Sequence, residues 1–145
     1  KEIVDIIPEK IFLNIELKGK DTANETNKII INHLNKYNLP ISKFIISSFR
    51  WDELKKIRSI NKDIPIAILV DSLHKIDDAI KLAKQISAVA LNPNNKFITR
   101  GIVNKIQSNN IKVYPYTINN PKNIKRMRSM GVDAIITDYP ERIKR

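Results

Sequence analysis

Six short apolar runs recur along the chain: FLNIEL (12–17), KFIISSF (43–49), PIAILV (65–70), AVALN (88–92), KVYPYT (112–117) and AIITDY (134–139). They are rich in Ile and Val, and all but the first are bounded by turn residues, which predicts six β-strands. The segments between them change to a helical period. ANETNKIIINHLNKY places Ile30, Leu34 and Tyr37 on one face, and WDELKKIRSI places Leu54 and Ile57. IDDAIKLAKQI does the same with Ile76, Ile80, Ala83 and Ile86, ITRGIVNKIQSN with Ile102, Val103 and Ile106, and PKNIKRMRSM with Ile124, Met127 and Met130. Pro121 suits a first helical turn capped by Asn119 or Asn120, and Gly131 suits the stop of that helix.

Strict alternation of strand and helix implies parallel strands joined by crossover helices. Near-continuous apolar strands imply a sheet covered on both faces. Two architectures fit, a doubly wound open sheet and part of an eightfold barrel. The chain has only three Gly residues, and none forms a dinucleotide or phosphate-cradling loop. With no obvious edge strand, the pattern favours a (β/α)8 barrel of which six of the eight units are present. The 145 residues are expected to form a single domain, 1–145. The chain opens in KEIVDII, helical in pattern, and without Met, so the expectation is a carboxyl-terminal portion of a longer protein whose first two units lie upstream.

One run breaks the apolar pattern. In FLNIELKGK, Leu13, Ile15 and Leu17 alternate with Asn14, Glu16 and Lys18. If this strand is buried on both sides, a carboxylate and an ammonium lie inside, which costs several kcal/mol unless they are paired or bind an ion. In barrels of this kind the chemistry gathers at the carboxyl ends of the strands. All six runs turn polar there: Glu16 and Lys18, then Ser47 and Ser48 before Phe49, then Asp71 with Ser72 and His74, then Asn92, then Tyr116, Thr117 and Asn119, then Thr137 and Asp138 before Tyr139.

Composition narrows the classes. With no cysteine, disulfides, thiolate nucleophiles and Cys-ligated metals are excluded, which fits a cytoplasmic protein. No apolar run approaches the roughly 18 residues of a membrane span, and no secretory signal opens the chain. The net charge is +11, from 26 basic and 15 acidic residues. Such a surface suits nucleic acid, an anionic membrane or a phosphorylated substrate. A bias toward Lys, Ile and Asn accounts for it equally, and the densest basic stretches, KNIKRMR and ERIKR, are short. A basic nucleic-acid-binding domain is the weakest of the readings.

At these residues the chain resembles the glycerophosphodiester phosphodiesterase family. LNIELKG is similar to that family's third-strand Ile-Glu-(Ile or Leu)-Lys motif, and IISSF with L-x-x-I-R to its next strand and helix. YTINNP resembles a Thr-Val-Asn turn, with Tyr116 where Trp is usual, and MGVDAIITDYPE the closing Gly-Val-Asp-x-Ile-x-Thr-Asp-x-Pro. The resemblance covers nearly the whole chain. It implies a TIM barrel, hydrolysis of glycerophosphodiesters to glycerol 3-phosphate and an alcohol, and a divalent metal, Ca²⁺ or Mg²⁺. It carries a metal-ligand role to Glu16 and a phosphate-contacting, catalytic role to Lys18. The family's His-Arg-Gly, Glu-x-Asp and His-Asp motifs belong to its first two strands and are absent here. The 145-residue chain alone is therefore expected to be inactive, and its expected partners are a small glycerophosphodiester and the missing amino-terminal barrel segment. The alternative is an inactive barrel remnant that binds without turnover.

The remaining candidates divide between site and scaffold. Phe49 and Tyr116 are candidates to line the pocket mouth and touch substrate, or to pack. For Glu16 and Lys18 the alternative is a buried ion pair without a ligand. Ser47 and Ser48 lack the Gly-x-Ser-x-Gly elbow of a serine nucleophile. Trp51 reads as packing under a loop, His74 as a solvated loop residue, His33 as structural, Asp138 as a turn carboxylate, and Lys96 and Arg100 as solvated charges at a helix start.

Overall fold

The computed structural model describes residues 12–143. Strands and helices alternate: β1 (Leu13–Glu16), α1 (Ala23–Tyr37), β2 (Phe44–Ser48), α2 (Trp51–Ile60), β3 (Ile66–Val70), α3 (Ile76–Gln85), β4 (Ala90–Pro93), α4 (Arg100–Gln107), β5 (Lys112–Val113) and α5 (Pro121–Ser129). The sheet order follows the sequence, β1-β2-β3-β4-β5, and both the β1–β2 and β4–β5 pairs are parallel. Among the described residues β1 has β2 as its one neighbour, as expected of a first strand with an open edge. The helical pattern of KEIVDII lies outside the described residues.

The sixth run is not a strand. Residues 134–136 lie beside the fifth run and make backbone hydrogen bonds to it: Ala134 N–H to Val113 O at 3.4 Å, Ile136 N–H to Pro115 O at 3.0 Å, and Ile118 N–H to Ile136 O at 2.9 Å. The pairing is parallel in sense but skips a residue between Tyr116 and Ile118, so no regular ladder forms. The sequence reading of six strand units therefore becomes five strands and one extended segment bonded alongside.

The described chain divides into two compact units, with the boundary inside β3 after Ala67. In the first unit, Leu13 pairs with Phe44 and Ile15 with Ile46, which places these side chains on one face of the β1–β2 ladder. Helix α2 packs on β2, and α1 packs on α2. Ile30 and Leu34 of α1 and Leu54 and Ile57 of α2 are buried between them, as their spacing requires. Tyr37 is 43% exposed and rests on the His33 ring, 4.6 Å away, rather than in the core. Asn38 ends α1 at φ 51°, where an Asn is tolerated in the left-handed region, and its N–H reaches Leu34 O.

In the second unit the buried faces are Ala79, Ile80, Leu82 and Ala83 of α3, Val103 and Ile106 of α4, and Ile124 and Met127 of α5. Ile102 and Met130 lie at the margins. Asn120, not Asn119, caps α5 by accepting the Lys122 N–H at 2.9 Å, with Pro121 in the first turn. Gly131 closes the helix at φ 79°, where a glycine avoids the Cβ clash of the left-handed region. Asp133 then bridges: it accepts Val113 N–H at 2.8 Å and Gln107 Nε2–H at 3.0 Å. The Gly-Val-Asp motif thus joins the helix end to β5.

Candidate functional site

In the first unit, β1 alternates as predicted, but its polar face is open. Asn14, Glu16 and Lys18 are exposed, while Leu13 and Ile15 are half-buried and Leu17 is buried. The burial cost expected for Glu16 and Lys18 therefore does not arise. Neither does the alternative of a buried ion pair: among the described residues no salt bridge joins the two. Asn14 and Glu16 share one face of β1, and Lys18 lies in the loop that follows the strand.

Glu16 stands opposite Ser47 in the β1–β2 register, so the two side chains share that face. The Ser47 hydroxyl is buried and has no hydrogen-bond partner among the described residues. Phe49, one residue past β2, is 45% exposed. Glu16, Lys18, Ser47 and Phe49 thus all belong to the carboxyl-end side of β1 and β2.

Between β1 and α1 runs a loop, residues 17–22, that includes Lys18. Ser48 Oγ–H donates to Leu17 O at 2.6 Å and accepts Arg50 N–H at 2.8 Å. Farther along, the Glu53 carboxylate accepts Asp21 N–H on Oε1 at 2.9 Å and Ala23 N–H on Oε2 at 3.0 Å. Glu53 is fully buried in the first turn of α2. Burial by itself would raise its carboxyl pKa. The two backbone N–H bonds and Lys56 outweigh that and hold it below the usual carboxylate value. Lys56 also pairs with Asp21, whose carboxyl is lowered by this bond first and by the lysine charge second.

Glu53 was not singled out in the sequence. A signal exists: in WDELKKI it is four residues before Ile57 and next to Leu54, a carboxylate on the apolar stripe of its helix.

In the second unit, Tyr116 donates its hydroxyl to Val70 O at 3.2 Å, and its own carbonyl accepts Asn95 N–H at 2.9 Å and Asn95 Nδ2–H at 3.2 Å. Asn119 donates to Asp138 Oδ2 at 2.7 Å and accepts from Asp138 N–H at 3.0 Å and Thr137 Oγ1–H at 3.2 Å. Asp138 is the turn carboxylate expected of it. Asp71 is paired with Lys75 at 2.9 Å, and this hydrogen bond lowers its carboxyl pKa. His74 hydrogen-bonds Ser72 Oγ, at 2.7 Å through Nδ1. The Asn92 Oδ1 at the end of β4 is buried and unpaired. His33 stacks between Tyr37 and Phe44 in the first unit, a structural place.

A divalent ion needs several converging oxygen or nitrogen ligands. Among the described residues no group of three or more His, Cys, Asp or Glu side chains comes together. Glu16 offers one carboxylate, and the described residues do not complete a metal site around it. No helix is long and apolar enough to cross a membrane among them.

Parallel strands alternating with helices, in sheet order equal to sequence order, define a portion of a (β/α)8 barrel. A family model, the glycerophosphoryl diester phosphodiesterase family, matches residues 7–142. A glycerophosphodiester phosphodiesterase of Caldanaerobacter subterraneus is 30% identical over 142 residues, 97% of this chain and 57% of that protein. The structure of an Oleispira antarctica phosphodiesterase in complex with the product sn-glycerol-3-phosphate matches with a TM-score of 0.76 at 24% identity, covering 91% of this chain and 53% of that one. The glycerophosphodiester phosphodiesterase of Thermotoga maritima matches at 0.75 and 20% identity, covering 94% and 58%. The chain belongs to the glycerophosphoryl diester phosphodiesterase family. It spans about half the length of the curated relatives it matches.

Proposed function

We propose that the protein carrying this chain hydrolyses glycerophosphodiesters to sn-glycerol 3-phosphate and an alcohol, in the cytoplasm. The observation that carries the reading is the family match over residues 7–142; Glu16 at the end of β1 and Lys18 in the loop after it are both exposed. In the reaction the P–O bond to the alcohol breaks, water supplies the hydroxyl to phosphorus, and its proton goes to the departing oxygen. The Lys18 ammonium sits at the phosphate and stabilises the extra charge of the pentavalent transition state. Phe49, exposed on the same side of β1 and β2, contacts the substrate. Glu16 is one ligand to Ca²⁺ or Mg²⁺. When bound, the ion would neutralise charge on the phosphate; among the described residues no cluster of three or more His, Cys, Asp or Glu completes a site around Glu16.

The second reading is a barrel that binds without turnover, and the incomplete ligand set around Glu16 favours it for this segment taken alone. The full-length protein decides between them. Metal-dependent release of glycerol 3-phosphate from glycerophosphocholine is the expected result. Binding without release under every divalent metal tried overturns the hydrolase.

A further inference from the structure

Ser48 and Glu53 hold the two ends of the loop that carries Lys18, and neither touches the open face where the chemistry is proposed. We propose that Glu53 and Ser48 are positioning residues, a clamp that fixes the β1–α1 loop and so aims the Lys18 side chain; what the lysine then does rests on the phosphodiesterase reading.

The clamp is made of contacts distant in sequence. Ser48 reaches back 31 residues to Leu17 O, one residue before Lys18. Its hydroxyl donates there and accepts from Arg50 N–H, which sets its orientation. Glu53 reaches back 32 residues to Asp21 N–H and 30 to Ala23 N–H. Between these anchors the loop has little freedom left, because Thr22 Oγ1 also bonds Gly19 O at 3.1 Å.

The second contact serves the helix start from outside its own sequence. The first backbone N–H groups of a helix need an acceptor, usually supplied by the N-cap side chain. Thr22 is the N-cap of α1 but makes no such bond, having turned its hydroxyl to Gly19. Ala23 N–H, the first of the helix, finds its acceptor in α2, a carboxylate at the positive end of α1. Capping α1 from within its own sequence would leave the loop free to drift against β2. Capping it from Glu53 ties the helix start to α2, and α2 packs on β2, which carries Ser47 beside Glu16. Both Glu53 oxygens accept, so glutamine cannot replace it: one N–H would face an NH₂ group.

The test uses the full-length protein with Glu53→Gln and, as the milder variant that should fold in any case, Ser48→Ala. Amide hydrogen exchange over residues 17–23 reads the clamp, and titration with glycerol 3-phosphate reads the lysine. In Glu53→Gln, exchange at Asp21 and Ala23 should rise about tenfold or more while β3 stays protected. The dissociation constant for glycerol 3-phosphate and the KM for glycerophosphocholine should both rise about tenfold. Ser48→Ala should show the same pattern at a severalfold scale. Loss of folded protein alone lowers the active fraction and leaves both constants unchanged, so unchanged constants overturn the positioning role. Unchanged exchange in both variants overturns the clamp. If the wild type releases no glycerol 3-phosphate from any diester, the hydrolase reading falls, and exchange and product binding still decide the clamp.

Discussion

The loop after β1 and the loop after β5 solve one problem in two ways. Each leaves the carboxyl end of a parallel strand and leads into a helix, and each is held by side-chain hydrogen bonds to segments distant in sequence. The first is held by a fully buried carboxylate and a buried hydroxyl, Glu53 and Ser48. The second is held by the partly exposed amides of Asn95 and Asn119, which reach the carbonyls of Tyr116 and Thr117 and the carboxylate of Asp138. Burial explains the difference. A backbone N–H closed off from water, as that of Ala23 is, needs a strong acceptor, and a charge-assisted bond supplies it. Carbonyls with water nearby need no more than an amide, because water replaces it at small cost.

The sharpest test of that contrast is functional. If the first loop carries the phosphate contact, Lys18→Ala should lower kcat/KM of the full-length enzyme by about 10²–10³, the range for removing one transition-state donor. Asn119→Ala, in the second loop, should change it by less than about tenfold. Release of glycerol 3-phosphate under saturating and limiting substrate measures both. A Lys18→Ala enzyme with wild-type kcat/KM moves the phosphate contact elsewhere and removes the functional half of the comparison.

The next effect is on stability. Glu53→Ala leaves the buried Ala23 N–H and the part-buried Asp21 N–H without their acceptor, and should cost about 2 kcal/mol in urea unfolding. Asn119→Ala should cost about 1 kcal/mol or less, since water reaches its partners. The reverse order would mean that burial does not separate the two loops.

Acid should expose the same difference. The folded Glu53 carboxyl lies below its usual value, since the N–H bonds and Lys56 outweigh the burial that would raise it. Its stabilisation is therefore complete above the unfolded carboxylate pKa and is lost as pH falls through the lower, folded one. The stability gap between wild type and Glu53→Gln should be constant near neutrality and shrink below about pH 4. Asp21, held down by Lys56 and more weakly by Lys20 and Arg50, titrates in the same range, and it is present in both proteins. A gap that widens on acidification would reverse the sign assigned to Glu53.

Most of the scaffold was legible in the chain, because the period of the apolar residues is a property of the backbone and needs no partner. All five helices fall where the spacing put them, and Ile30, Leu34, Leu54 and Ile57 are buried as their faces required. The sixth run misled because AIITDY has strand composition, yet a ladder is a pairwise object and its register with the fifth run slips. The polar face of β1 was found, but its burial was not, since exposure depends on what else covers the strand. Glu53 escaped for the opposite reason. In its own helix it reads as one more acidic residue near an N-terminus, and only folding brings it to donors 32 and 30 residues away in the chain, Asp21 N–H and Ala23 N–H.

The smallest effect tests whether the first loop is held tightly as well as strongly. A Cβ on Gly19 would meet Thr22 Cγ2 at 2.8 Å, too close to be left in place. The obstacle is a single methyl on a short side chain, so Thr22 can rotate, at the expense of its hydroxyl bond to Gly19 O. Gly19→Ala should therefore cost about 1 kcal/mol or less, near the value of one exposed hydrogen bond, with exchange rising at residues 19–22 and Glu53's two bonds intact. Adding Thr22→Ser removes the methyl and keeps the hydroxyl, and should restore most of the loss. If the second substitution deepens the loss instead, the Thr22 methyl holds the loop by packing, and the clamp has a third member beside Ser48 and Glu53.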